Sequence, residues 1–87
     1  MISRTTPSFW RALARLHEDD RAAARRSFRL FVENPAHNSL FFKKLSGHAD
    51  LWSARVNLNI RAVAQRHGEV VTWVWIGSHK EFDSIFG

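Results

Sequence analysis

"IRAVAQRHGEVVTWVWI", residues 60–76, holds two strand-like runs on either side of a glycine. The second run is dense in β-branched and aromatic side chains, and the "HGE" between the two carries Gly68, which supplies the positive φ that a tight hairpin needs. Trp73 and Trp75 stand two apart, so they are expected on one face of the second strand, as core rather than as a base-stacking platform. Upstream, "LFFKKL" and "LWSARVN" are two further strand-like runs. In the latter, Trp52, Ala54 and Val56 alternate with Ser53, Arg55 and Asn57, so one face is apolar and the other polar.

The first third of the chain has a different period. Residues 1–6 read as a short edge strand, and Thr6 and Pro7 as N-cap and first position of a helix whose Phe9, Trp10, Leu13 and Leu16 share a face. His17, Glu18 and Asp19 form a polar joint. Asp20 is expected to cap a second helix that runs to about Asn34 and is stopped by Pro35. Ala24, Phe28 and Phe31 line one side of it, while Arg21, Arg25 and Arg29 line another that reads as a solvated face. The expected fold is therefore α/β in the α+β sense: a single domain over residues 1–87, with a helical hairpin packed on the apolar face of a small, mainly antiparallel sheet. The opposite face is left open to a ligand, and residues 80–86 add a short helical turn.

A chain of 87 residues leaves much of its surface in water, and its seven Phe and four Trp supply the dense core that such a size requires. It has no cysteine, which excludes a disulfide framework and any Cys-based zinc site. No apolar run approaches the roughly 18 residues of a membrane span, and "MISRTTPSF" lacks a signal peptide's apolar stretch, so a cytoplasmic protein without membrane contact is expected. The net charge is +5, and ten of the thirteen basic residues are arginine. Arginine's planar fork suits phosphate and carboxylate, which points to nucleic acid, an acidic protein, or both.

A basic group recurs in each middle strand or at its border: Lys43 and Lys44, then Arg55, then Arg61, with Lys80 beyond the last. Neighbouring strands lie about 5 Å apart, so several of these side chains can converge on one phosphodiester, although an ordinary solvated face accounts for them as well. His79 follows the most apolar strand directly, and histidine is the side chain suited to moving protons near neutral pH. Asp83 lies at i+4, where a helix would let its carboxylate orient the imidazole. On the residues alone, the plainer reading of His79 is a helix-start histidine with a solvent-exposed partner. No His, Cys or acidic spacing resembles a metal site, and no cofactor is expected. The nucleophile-elbow, P-loop and dinucleotide motifs are all missing, which removes the common hydrolase, NTPase and dehydrogenase classes.

Taken in order, "TPSFWRAL", the helical pair, "ENPAHNSLFFKKLSG", "LWSARV", "IRAVAQ" and "WIGSHKEFD" resemble the RelE/ParE superfamily of toxins from type II toxin–antitoxin systems, over essentially the whole chain. The resemblance implies a toxin silenced by a cognate antitoxin with an acidic or partly disordered segment. For the RelE-like branch it implies a ribosome-dependent, metal-independent endoribonuclease that cuts mRNA. The ParE-like alternative inhibits DNA gyrase by binding and cuts no RNA. By resemblance Arg61 falls at a phosphate-binding arginine with a part in the catalysis, Lys43 and Lys44 sit in the strand that carries the relatives' basic residues, and His79 lies near the position of a catalytic arginine or histidine. By their placement in this chain Arg55 and Lys80 join the RNA-binding cations and Asp83 orients His79. Related sequences often read H-x-x-Y-D where this chain has His79, Lys80, Glu81, Phe82 and Asp83. Phe82 keeps the ring without the hydroxyl, and the chain has no tyrosine at all.

Overall fold

A computed structural model describes all of residues 1–87. In chain order the elements are β1 (Ile2–Thr5), α1 (Pro7–Ala14), α2 (Glu18–Glu33), a 3₁₀ turn (Asn38–Leu40), β2 (Lys43–Lys44), β3 (Leu51–Arg55), β4 (Ile60–His67), β5 (Val70–Ser78) and α3 (His79–Phe86). The strands form one five-stranded sheet in the order β1-β5-β4-β3-β2. β1 runs parallel to β5, and every other pairing is antiparallel. The expected α+β arrangement is therefore present, with the parallel pair at one edge.

The β4–β5 hairpin turns as its sequence requires. His67 pairs with Val70, and Gly68 adopts φ +60 between them. Glycine at the first central position of a two-residue loop gives a turn whose twist matches that of the strands it joins.

A bulge changes the side-chain pattern of β5. Val63 pairs with Trp75 and Ala64 with Trp73, which leaves Val74 as an extra residue without a partner on β4. One extra residue reverses the alternation, so Trp73 and Trp75 occupy opposite faces rather than the single face expected from their spacing. Trp73 is 4% exposed and packs edge-on against Phe31 of α2. Trp75 packs against Phe82 and Phe86 of α3. The carbonyl of Val74 accepts a hydrogen bond from the Ser8 hydroxyl, while that of Trp73 accepts from the backbone and hydroxyl of Thr6, so the start of α1 is fastened to the irregular stretch.

The sheet consequently has two cores. Phe9, Ala12, Leu13, Ala24 and Phe31 of the first two helices meet Ala54, Ala62, Ala64, Val71, Trp73 and Ile76 on one side. On the other, α3 covers Trp75 beside the fully buried Val63. The face expected to be open is thus open only where α3 does not reach, over β2, β3 and the start of β4.

Thr6 caps α1 as expected, accepting from the Phe9 amide ahead of Pro7. α2 begins two residues before the expected cap at Asp20, with His17 at the N-cap and Glu18, Asp19 and Asp20 all in the first turn, where acidic groups favour the helix dipole. Asp20 instead accepts a hydrogen bond from the Asn57 side chain at 3.1 Å, joining α2 to the β3–β4 loop. "LFFKKL" gives only the two-residue β2, because the 3₁₀ turn takes up its beginning. No helix is long and apolar enough to cross a membrane.

Candidate functional site

The uncovered part of the sheet forms a cleft of about 240 Å³ lined by Phe41, Lys43, Ser53, Arg55 and Arg61. Register explains the grouping. Lys43 pairs with Ser53, and Arg55 pairs with Arg61, so successive strands present these side chains on one face. Lys44 pairs with Trp52, whose ring packs beside Phe42 on the helix side. Adjacent residues of a strand point to opposite faces, so Lys44 does not join the cleft. This corrects the expectation that both lysines contribute to one basic cluster.

Arg61 is half-buried, and one terminal nitrogen of its guanidinium donates to the carbonyls of Asn57 at 2.8 Å and Ile60 at 3.2 Å. Asn57 is itself held by its side chain, which accepts from the amides of Asn59 and Ile60 and donates to Asp20. The loop therefore aims the arginine. Burial lowers the pKa of Arg61, the neighbouring Arg55 lowers it further, and the Asp83 carboxylate opposes both. Arginine nevertheless stays charged. These effects describe a cation short of counter-charge, the condition that favours an incoming anion.

His79 opens α3. Ser78 is the N-cap, and with Glu81 it forms a reciprocal capping box: the Ser78 hydroxyl accepts from the Glu81 amide, and the Glu81 carboxylate accepts from the Ser78 amide. The His79 amide donates to the Asn59 carbonyl at 2.6 Å, so the loop that aims Arg61 also fixes the start of α3. The imidazole Nε2 lies 3.5 Å from the Asp83 carboxylate, one helical turn on, with both side chains in contact with water. Arg61 pairs with Gly77, two residues before His79. The sheet and α3 thus bring Lys43, Arg55, Arg61, His79 and Asp83 into one region. Lys80 is exposed on the first turn of α3 with no ion pair. Phe82 packs among Trp75, His79 and Phe86.

Chemically, cations along one cleft suit a phosphodiester, and an imidazole beside a carboxylate suits proton transfer. No three His, Cys, Asp or Glu side chains group in a way that would hold a metal ion.

No family model and no curated protein sequence matches the chain. Solved structures do. A chain of the RelB–RelE antitoxin–toxin complex from Methanococcus jannaschii superposes with a TM-score of 0.77 at 15% identity, covering 97% of this chain and 99% of that one. This chain has the RelE toxin fold. The toxin–antitoxin complex RelBE2 from Mycobacterium tuberculosis is similar at TM-score 0.72 and 22% identity, over 90% of this chain and 96% of that one. The YoeB/ParE toxin from Agrobacterium tumefaciens gives 0.68 and 20%, over 91% and 99%.

Within this RelE fold, three residues of the site have no role in the sequence reading. Ser53 lines the cleft while only 4% exposed, and the alternation in "LWSARVN" already put it on the polar face. Asn57 acts through a loop hydrogen-bond pattern that only the fold completes. Phe41 lines the cleft from a left-handed backbone position, for which a phenylalanine carries no sequence signal.

Proposed function

We propose that this protein is the toxin of a type II toxin–antitoxin pair and that it cuts mRNA on the ribosome, as the resemblance to the RelE-like branch implies. The observation that carries the reading is the convergence of Lys43, Arg55 and Arg61 on one cleft, with Asp83, the partner of His79, near enough to Arg61 to act on its charge. In such a cleavage the 2′-oxygen attacks the adjacent phosphorus, the P–O5′ bond breaks, a proton leaves the 2′-hydroxyl and another reaches the departing 5′-oxygen. Arg61, Arg55 and Lys43 bind the phosphate and stabilise the charge that grows on its oxygens. His79 carries one of the two proton transfers, and Asp83 holds its ring in place. Lys80 contacts the RNA from the first turn of α3. No residue takes the place of the tyrosine hydroxyl, so the remaining proton transfer falls to water, and no metal is required.

The partner that silences the toxin is an antitoxin with an acidic amphipathic segment. Its support is a second groove of about 340 Å³ between β1, α1 and α2. Trp10 is 55% exposed there and Phe28 39%, and Arg4, Arg25 and Arg29 surround them. Apolar anchors ringed by cations suit a helix with one apolar and one acidic face.

The test is primer extension on a translated reporter mRNA after brief induction without antitoxin, with His79→Ala run beside it. New 5′ ends in register with codons are expected, and their yield should fall about 10²- to 10⁴-fold in the variant. Growth arrest without new ends would overturn the nuclease and leave binding to DNA gyrase as the reading to pursue.

A further inference from the structure

Phe41 is the only non-glycine residue with positive φ, at φ 45 and ψ 44. A bulky side chain in the left-handed region is strained, and such strain persists only where the surroundings impose it. Burial of the ring does not explain it, because Phe41 is 58% exposed. Its neighbours do. Leu40 is 2% exposed in the main core, and Phe42 packs among Phe31, Trp52 and Trp73. Both flanking residues enter the same side of the sheet, and the left-handed turn between them directs the ring of Phe41 to the cleft that holds Lys43, Arg55 and Arg61. The Arg55 guanidinium lies over this ring, 5.3 Å from its centroid.

An exposed aromatic ring beside clustered cations is the composition of single-stranded nucleic-acid sites, in which cations follow the backbone and aromatic rings take the bases. We propose that Phe41 is a stacking platform for a nucleobase of single-stranded RNA whose adjoining phosphate rests on Lys43, Arg55 and Arg61. The inference depends on the phosphate-binding role of that cleft and adds to it a contact that only a base can make. Stacking is tolerant of base identity but stronger for the larger purine faces, so the platform favours a purine.

The experiment compares binding of the full-length chain to fluorescently labelled hexa-adenylate, hexa-uridylate and an abasic ribose-phosphate hexamer at low salt. The native chain should bind in the order adenylate, uridylate, abasic. Phe41→Leu should weaken binding of hexa-adenylate roughly tenfold and leave the abasic hexamer unchanged, while Phe41→Trp should preserve the order. Phe41→Gly relieves the backbone strain, so it should raise Tm while losing the same base-dependent affinity, which separates a stacking role from a folding role. An equal loss on all three oligomers in Phe41→Leu, or no loss on any, would overturn the platform and leave the phosphate cleft standing. A native chain that binds none of the three would overturn the phosphate cleft, and the platform with it.

Discussion

Lys43 and Lys44 are adjacent in the chain and opposed in the sheet, and function should separate them. Lys43 lines the cleft with Arg55 and Arg61, whereas Lys44 pairs with Trp52 on the helix side. Lys43→Ala is expected to weaken cleavage and RNA binding about tenfold, and Lys44→Ala by less than twofold, the usual range for a charge-assisted contact against a remote surface charge. Codon-register cleavage yields measured side by side check this, and equal losses would contradict the assigned faces. Arg55 and Arg61 were both apparent as cations within strands, since their residue type and position alone mark them. The face of each lysine was not, because the run "LFFKKL" does not reveal where its 3₁₀ turn ends and its strand begins. Asn57 was equally hidden. Its importance lies in hydrogen bonds to Asn59, Ile60 and Asp20 that require the loop and α2 to be already in place.

At the scale of elements, α3 and the last turn of β5 form one unit. A Cβ built on Gly77 would stand 2.5 Å from Cζ2 of Trp75 and 3.1 Å from the Glu81 carboxylate. The Trp75 indole cannot simply swing aside, because Phe82 and Phe86 hold it. Gly77→Ala should therefore cost about 1–3 kcal/mol through overpacking, seen as a lower midpoint in urea with an unchanged slope. It should also reduce cleavage by displacing His79. The capping box makes the same unit sensitive to acid. Hydrogen bonds from the Ser78 amide and hydroxyl hold the Glu81 carboxyl below the usual carboxylate range. A carboxylate whose pKa is depressed on folding contributes its stabilisation above its unfolded pKa and loses it as pH falls through the folded value. The native chain should thus lose stability faster than Glu81→Gln as pH falls through the carboxylate range, by urea titration at successive pH values. Parallel losses would mean that the ionised carboxylate adds nothing to the cap beyond what an amide oxygen supplies. Existence of the elements was legible from period and punctuation: Thr6-Pro7 for α1, Pro35 after α2, Gly68 in the hairpin. The bulge at Val74 was not, and it moved Trp75 from the expected core to the face covered by α3.

For the whole molecule, charge and fold together define how RNA binding responds to salt. With a net charge of +5 the chain attracts polyanions from any direction, but only cations in contact with phosphate release counterions. Three such cations in the cleft and Lys80 on α3 predict a slope of roughly −3 in log affinity against log salt for single-stranded RNA. Arg61→Ala should make that slope shallower by about 0.7, whereas replacing Arg25 in the other groove should leave it unchanged. Binding isotherms over a salt series measure both, and a slope near about −5 would mean that RNA follows a longer basic path than the cleft and Lys80. The composition and order of residues by themselves determined a basic, cysteine-free α+β chain with a cation in each middle strand and a histidine at the end of the last one. Local rules suffice for that, since period, capping and turn chemistry act over a few residues. Only the tertiary structure decided which cations share a face, that α3 covers the Trp75 end of the sheet's second side, and that Phe41 is turned towards the cleft. Each depends on strand register, on one bulge residue and on two flanking side chains drawn into the same core, and these are long-range packing choices that no short window of sequence contains.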